Sequence, residues 1–228
     1  MSAPGVMRIA PAGDAALRVE LEDRLDPDIN AAVIDLAEGI RQRHGAAVLD
    51  VVTGYSTVTV YFEPLAVAAS WLEQEIRAIA DAIRPSPREG GRLIEVPVCY
   101  GGEFGPDLDD VAAFGACSRD EVVELHARGD YRVYMVGFVP GFAYLGIVDA
   151  RIAAPRRATP RPAVPSGSVA IAGGQTGIYP STTPGGWNII GRTPLRPYDP
   201  ARSEPFLFRA GDRVRFAPVS PDRLADAV

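Results

Sequence analysis

Proline and glycine are split unevenly along the chain, and that split limits the fold more than any other feature. Residues 1–84 hold 4 of the 21 prolines and 5 of the 23 glycines; residues 85–228 hold the other 17 and 18. Proline lacks a backbone donor, and glycine weakens the interior of regular elements. Long helices therefore belong to the first part, and short strands joined by turns to the second. The change falls at Arg84-Pro85-Ser86-Pro87-Arg88-Glu89-Gly90-Gly91, which has the composition of a linker. Two domains are expected, 1–84 and 92–228, joined by 85–91.

In the first domain Leu17, Val19 and Leu21 alternate with polar residues, which predicts a strand. Asp26-Pro27 opens a helix, with Asp26 as N-cap and Pro27 at its first position. Ile29, Val33, Leu36 and Ile40 form its buried stripe, and Gly45 ends it. Val48–Thr53 and Thr57–Phe62 read as a hairpin. Leu65–Ile83 reads as a second helix, buried along Leu72, Ile76, Ile79 and Ile83. The order is ββαββα, an α+β sandwich with both helices on one face of an antiparallel sheet.

The second domain is mainly β. Leu93–Val98, Arg132–Phe138, Val169–Ala172, Trp187–Arg192 and Arg213–Pro218 are strand candidates. Asp107–Gly115 and Arg119–Arg128 are short helices. The first is capped by Asp107, and the second carries a capping box of Ser118 and Glu121. Short strands between Gly/Pro turns favour a closed barrel.

The charges exclude several functions. The net charge is −6, against the basic footprint of a nucleic-acid binder. All 23 basic residues are arginine, so Schiff-base chemistry, a P-loop lysine and a biotinylated lysine are absent from this chain. Two histidines, His44 and His126, are too few for a poly-histidine metal site, and no metal site is expected. Two cysteines, Cys99 and Cys117, suit reduced thiols better than a disulfide framework. The N-terminal residues lack the pattern of a signal peptide, and no apolar run reaches about 18 residues. A soluble, cytoplasmic protein is expected, without membrane or nucleic-acid partners.

Two segments and several single residues carry candidate chemistry. Tyr134–Gly146 (YMVGFVPGFAYLG) combines glycine turns with Phe138, Phe142 and Tyr144; it reads either as a pocket rim or as a packed barrel corner. Pro165–Pro194 holds seven glycines, and such a loop can turn successive N–H groups toward one anion. Gln175 adds a neutral donor there, while Tyr179 and Trp187 offer rings for stacking. Arg156, Arg157, Arg161 and Arg192 flank these loops, and guanidinium forks bind carboxylate or phosphate. A small anionic substrate is expected, held by Arg157, Arg161, Gln175, Tyr179 and Arg192. His126, the one histidine of the second domain, is the candidate acid–base group, although a lone helix histidine is more often structural. Glu103 follows Gly101-Gly102 and stands outside the capping role of its acidic neighbours. It is the other candidate for acid–base work, or for orienting a metal through water.

The segments CYGGEFGPDLDDVA, GFVPGFAYLG, PRRATPRPAVPSGSVAIAGGQTGIYPSTTPGGWNIIGRTP and RAGDRVRF resemble the KipI family, also called allophanate hydrolase subunit 1 and now assigned as the B-type subunit of 5-oxoprolinase. GDAALRVELEDRLDPDINAAV fits the same family, so the resemblance covers nearly the whole chain. Thr183 stands where the family pattern often has serine before Pro-Gly-Gly-Trp. The resemblance implies a cyclophilin-like β-barrel behind the small α+β domain. It also implies work in a heteromer with sister subunits C and A, opening 5-oxo-L-proline to L-glutamate with ATP. In that picture ATP, with or without Mg, is shared with the partner subunit. The same resemblance leaves two other readings open: an inhibitor of a sensor histidine kinase, and a carboxyltransferase or allophanate hydrolase-type subunit acting on urea-derived substrates.

Overall fold

The structure, a computed structural model, describes residues 7–83 and 91–225. The chain divides into two compact units, Met1–Glu89 and Gly90–Val228. Of the expected linker only Gly91 lies within the described residues.

Unit 1 runs β1 (Arg8–Pro11), β2 (Ala16–Glu20), α1 (Pro27–His44), β3 (Val48–Thr53), β4 (Thr57–Phe62) and α2 (Ala69–Ala82). The Asp26 carboxylate accepts from the amides of Asp28 at 2.9 Å and Ile29 at 3.2 Å, so the α1 cap forms as expected. Those backbone donors, chiefly Ile29, hold its carboxyl below the ordinary value. The sheet order is β1-β2-β4-β3, antiparallel throughout. Leu17 faces Val60 and Val19 faces Val58 across it, on the side covered by Val33, Leu36, Ile40, Leu72 and Ile76. Helix α2 starts four residues later than its apolar pattern predicts. Val67 N–H bonds the Glu63 carbonyl in a turn, and Leu65 is 97% exposed while Val67 packs on the core, so this stretch does not present a helical apolar stripe.

Unit 2 runs β5 (Leu93–Tyr100), α3 (Leu108–Phe114), α4 (Arg119–Ala127), β6 (Tyr131–Val136) and β7 (Ala143–Gly146). It continues with β8 (Arg161–Val164), β9 (Ser168–Ala172), β10 (Gln175–Ile178), β11 (Thr183–Gly185), β12 (Asn188–Arg192), β13 (Arg213–Pro218) and α5 (Pro221–Ala225). Seven strands close a barrel in the order β10-β7-β6-β13-β5-β12-β9. Its one parallel pair is β13 with β5. Val96, Val98, Val133, Leu145, Val169, Ile171, Ile190, Val214 and Phe216 belong to its main core. A second cluster gathers Phe142, Val164, Ala170, Tyr179, Trp187 and Ile189, where the ribbon of β8 and β11 contributes Val164.

The glycine-rich segment contains β9 and β12, close to the expected strands, and also β10 and β11, and two of its glycine amides are used within the fold. Gly167 N–H bonds the Tyr179 carbonyl at 2.7 Å, and Gly173 N–H bonds the Ala154 carbonyl at 2.7 Å. Among the described residues no helix is long and apolar enough to cross a membrane.

Candidate functional site

The turn from Gly101 to Asp107 leads from β5 into α3. Gly101, at φ +70°, supplies the left-handed residue that reverses the chain. The turn is pinned to β12 by Gly101 N–H on the Ile190 carbonyl (3.0 Å) and Asp107 N–H on the Ile189 carbonyl (2.9 Å).

Asp107 stands at the N-cap position of α3, but its side chain makes no capping bond. It is 2% exposed and turns inward. One carboxylate oxygen accepts from Arg157 Nη1 and Arg161 Nη2, both at 2.7 Å; the other accepts from Arg161 Nη1 at 2.8 Å and the Ile189 amide at 2.7 Å. Four donors, two of them from one guanidinium fork, compensate a buried carboxylate fully. Asp107 is therefore the hub of an ion cluster and not a cap. Arg157 and Arg161, expected on a ligand, both turn to this hub; Arg157 gives it Nη1, which also reaches Asp110 at 3.4 Å, while its Nε is buried without a partner. The Arg157 amide also bonds the Gly186 carbonyl at 2.8 Å, which fastens its loop to the entry of β12.

Arg192, on β12, lies over the Phe104 ring at 5.6 Å, and its Nε is buried without a partner. Glu103 is exposed at the tip of the turn and makes no side-chain hydrogen bond or ion pair among the described residues. Burial pushes the Cys99 thiol up, and the charge of Glu103 adds to the effect, which suits an inert thiol. Both cysteines are free. Among the described residues no three His, Cys, Asp or Glu side chains group closely enough to hold a metal ion.

His126 is fully buried. Its Nδ1 lies 2.7 Å from the Tyr100 hydroxyl and its Nε2 lies 2.8 Å from Thr176 Oγ1. The Thr176 hydroxyl donates to the Ala170 carbonyl at 3.1 Å. That bond leaves Thr176 Oγ1 to accept from Nε2–H, so Nδ1 accepts from Tyr100. The ring stacks on Phe216 at 4.4 Å between centroids. Desolvation pushes its pKa down to about 3. A neutral imidazole with both nitrogens satisfied inside a core does not exchange protons with a substrate near pH 7. The expectation of His126 as the acid–base group is corrected on that ground. Glu103 and His126 are also not brought together, since one is exposed and the other sealed.

Tyr179 is buried, and the Trp187 backbone amide bonds its phenol; burial raises its pKa. Gln175 is half-buried at the start of β10. Around Tyr179 the rings assemble edge to face: Phe142 to Tyr144 at 4.8 Å, to Tyr179 at 5.2 Å, to Trp187 at 5.4 Å and to Phe138 at 5.7 Å. Arg156 is exposed, with its guanidinium 5.9 Å from the Trp187 ring centre. Its charge acts on both the Tyr144 and Tyr179 phenols. Two features of this region are not resolved by sequence reasoning. Asp107 carries the local signature of a cap, and no local signal points to arginines fifty residues away. Arg156 is indistinguishable in sequence from Arg157 beside it.

Known proteins match this arrangement over most of its length. The family model for the carboxyltransferase domain, subdomain C and D, matches residues 7–208. The B-type subunit of 5-oxoprolinase from Bacillus subtilis is 39% identical over 224 residues, covering 93% of each chain. The protein of the same name from Escherichia coli O157:H7 is 43% identical over 209 residues, covering 90% of this chain and 93% of its own. The solved urea amidolyase of Kluyveromyces lactis superposes on 98% of this chain and 15% of its own, with TM-score 0.80 at 19% identity, a likeness of fold. The chain belongs to the family of carboxyltransferase-domain proteins that form the B-type subunit of 5-oxoprolinase.

Proposed function

We propose that this chain serves a 5-oxoprolinase that opens 5-oxo-L-proline to L-glutamate with ATP, and that it acts only together with sister subunits C and A in the cytoplasm. The observation that carries the reading is the identity of 39% and 43% to two proteins named as this type of 5-oxoprolinase subunit, spread across nine-tenths or more of both chains.

The reaction runs in three steps. The lactam oxygen attacks the γ-phosphorus of ATP, and ADP leaves. Water adds at the activated carbon, the ring C–N bond breaks and the amine takes a proton. A second water releases phosphate from the resulting acyl phosphate, giving glutamate. Charge builds on the lactam oxygen and on the transferred group, so fixed cations and donors are what this reaction needs from a protein. This chain offers arginines on a rigid barrel edge. It has no lysine, and the amides of Gly167 and Gly173 are already engaged within the fold, which favours a nucleotide site completed by a partner subunit. The nucleotide is accordingly assigned to the assembled complex.

The test is co-expression of the chain with its sister subunits, followed by an assay of glutamate release from 5-oxoproline. Release that requires ATP is expected. An intact, folded complex that releases none in the presence of ATP overturns the proposal.

A further inference from the structure

Four arginines flank the aromatic cluster in sequence, but the fold sorts them by charge balance. Arg157 and Arg161 share the single charge of Asp107, and Arg157 also pairs with Asp110 at 3.4 Å. Arg192 covers Phe104 with its Nε buried. Arg156 is exposed and has no acidic partner among the described residues. It lies over Trp187, itself 5% exposed, whose ring meets Tyr144 at 5.8 Å. Tyr144 is half-buried, and Phe138, two rings away through Phe142, is 62% exposed.

Phe138 adds a second observation. It is a non-glycine residue at φ +67°, a conformation that L side chains rarely adopt. The turn thus keeps a large ring in solvent with a strained backbone, an arrangement that tends to occur at ligand clamps. An unpaired guanidinium over Trp187, at one side of an aromatic cluster that exposes Phe138 and part of Tyr144 as a shelf, suits a compact, partly apolar molecule with one carboxylate. The fork takes the carboxylate in two bonds and the shelf covers the ring.

We propose that Arg156 binds the substrate carboxylate and that the Tyr144–Phe138 shelf receives the lactam ring. This inference rests on the 5-oxoprolinase reading for the identity of the ligand, and on the sorting of the arginines for its place. Arg157 and Arg161 act as positioning residues: by holding Asp107 they fix the segment that carries Arg156.

The test uses the complex of full-length subunits and two ligands, 5-oxoproline and 5-oxoprolinamide, which differ only by the carboxylate. The wild-type complex prefers the acid. Arg156→Ala is expected to cut that preference in kcat/KM roughly tenfold to a hundredfold, with Arg156→Lys in between. Unchanged preference in Arg156→Ala, with turnover intact, overturns the site and leaves the 5-oxoprolinase reading standing. If the wild-type complex turns over neither ligand, that reading fails and the site is judged by binding alone. The chain has two tryptophans, and Trp71→Phe leaves Trp187, under Arg156, as the reporter. Saturable change of its emission by 5-oxoproline and not by the amide, lost on adding Arg156→Gln, supports the site; no change overturns it.

Discussion

Asp107 and Arg161 meet as a two-pronged ion pair at 2.7 and 2.8 Å, across 54 positions of sequence. The pair joins the start of α3 to the start of β8, and Arg157 and the Ile189 amide complete it. The neutral variant Asp107→Asn keeps the shape but leaves Arg161 without a counter-charge and Arg157 with only the exposed Asp110 at 3.4 Å. Arg157 and Arg161 retain 32% and 26% of their side-chain exposure, so water recovers part of the loss. A destabilisation of about 2–3 kcal/mol is expected in urea unfolding of the chain. An unchanged midpoint contradicts the account of this hub.

His126 ties stability to pH. Its pKa of about 3 in the folded chain lies below the ordinary 6.5, so the unfolded chain binds the proton first as pH falls. The contribution is whole above pH 6.5 and shrinks by up to about 1.4 kcal/mol per pH unit between 6.5 and 3. Wild type is expected to lose about 1.6 kcal/mol more than His126→Gln between about pH 6.5 and 5, read from unfolding curves at each pH. Parallel curves for the two proteins refute a buried neutral imidazole.

Two glycines in one turn separate close approach from backbone conformation. A Cβ on Gly105 stands 2.1 Å from the Ile190 carbonyl oxygen and 2.6 Å from the Gly101 nitrogen, both main-chain atoms. A Cβ on Gly102 meets nothing within 4 Å, but the residue sits at φ +54°. Gly102→Ala is expected to cost about 1 kcal/mol for its left-handed conformation. Gly105→Ala is expected to cost more, above about 2 kcal/mol, because the turn must leave β12. Thermal unfolding of both variants gives the order; equal losses contradict the packing of this turn on β12.

Much of the fold is legible where the signal is local. Asp26-Pro27 names the start of α1, and the alternation of Val48–Thr53 and Thr57–Phe62 gives β3 and β4 to the residue. The Ser118–Glu121 capping box forms as read. Strands β7, β8, β10 and β11 escape detection because each has three or four residues, with glycine or proline among them, and their apolar runs are too short to show a period. The site is less legible than the fold. Asp107 satisfies every local rule for a cap, yet its partners come from beyond β7. His126 and Thr176, fifty positions apart, pair only because the barrel closes. Arg156 and Arg157 are neighbours in sequence, and only the fold sends one to Trp187 and the other to Asp107.

Add-back of this chain tests the central claim most directly. Sister subunits C and A are purified, then assayed for ADP and glutamate formed from 5-oxoproline and ATP, with and without this chain. Glutamate and ADP are predicted to appear in equal amounts, and only when this chain is present. The same glutamate yield from the sister subunits alone, or glutamate formed without ATP, contradicts the account.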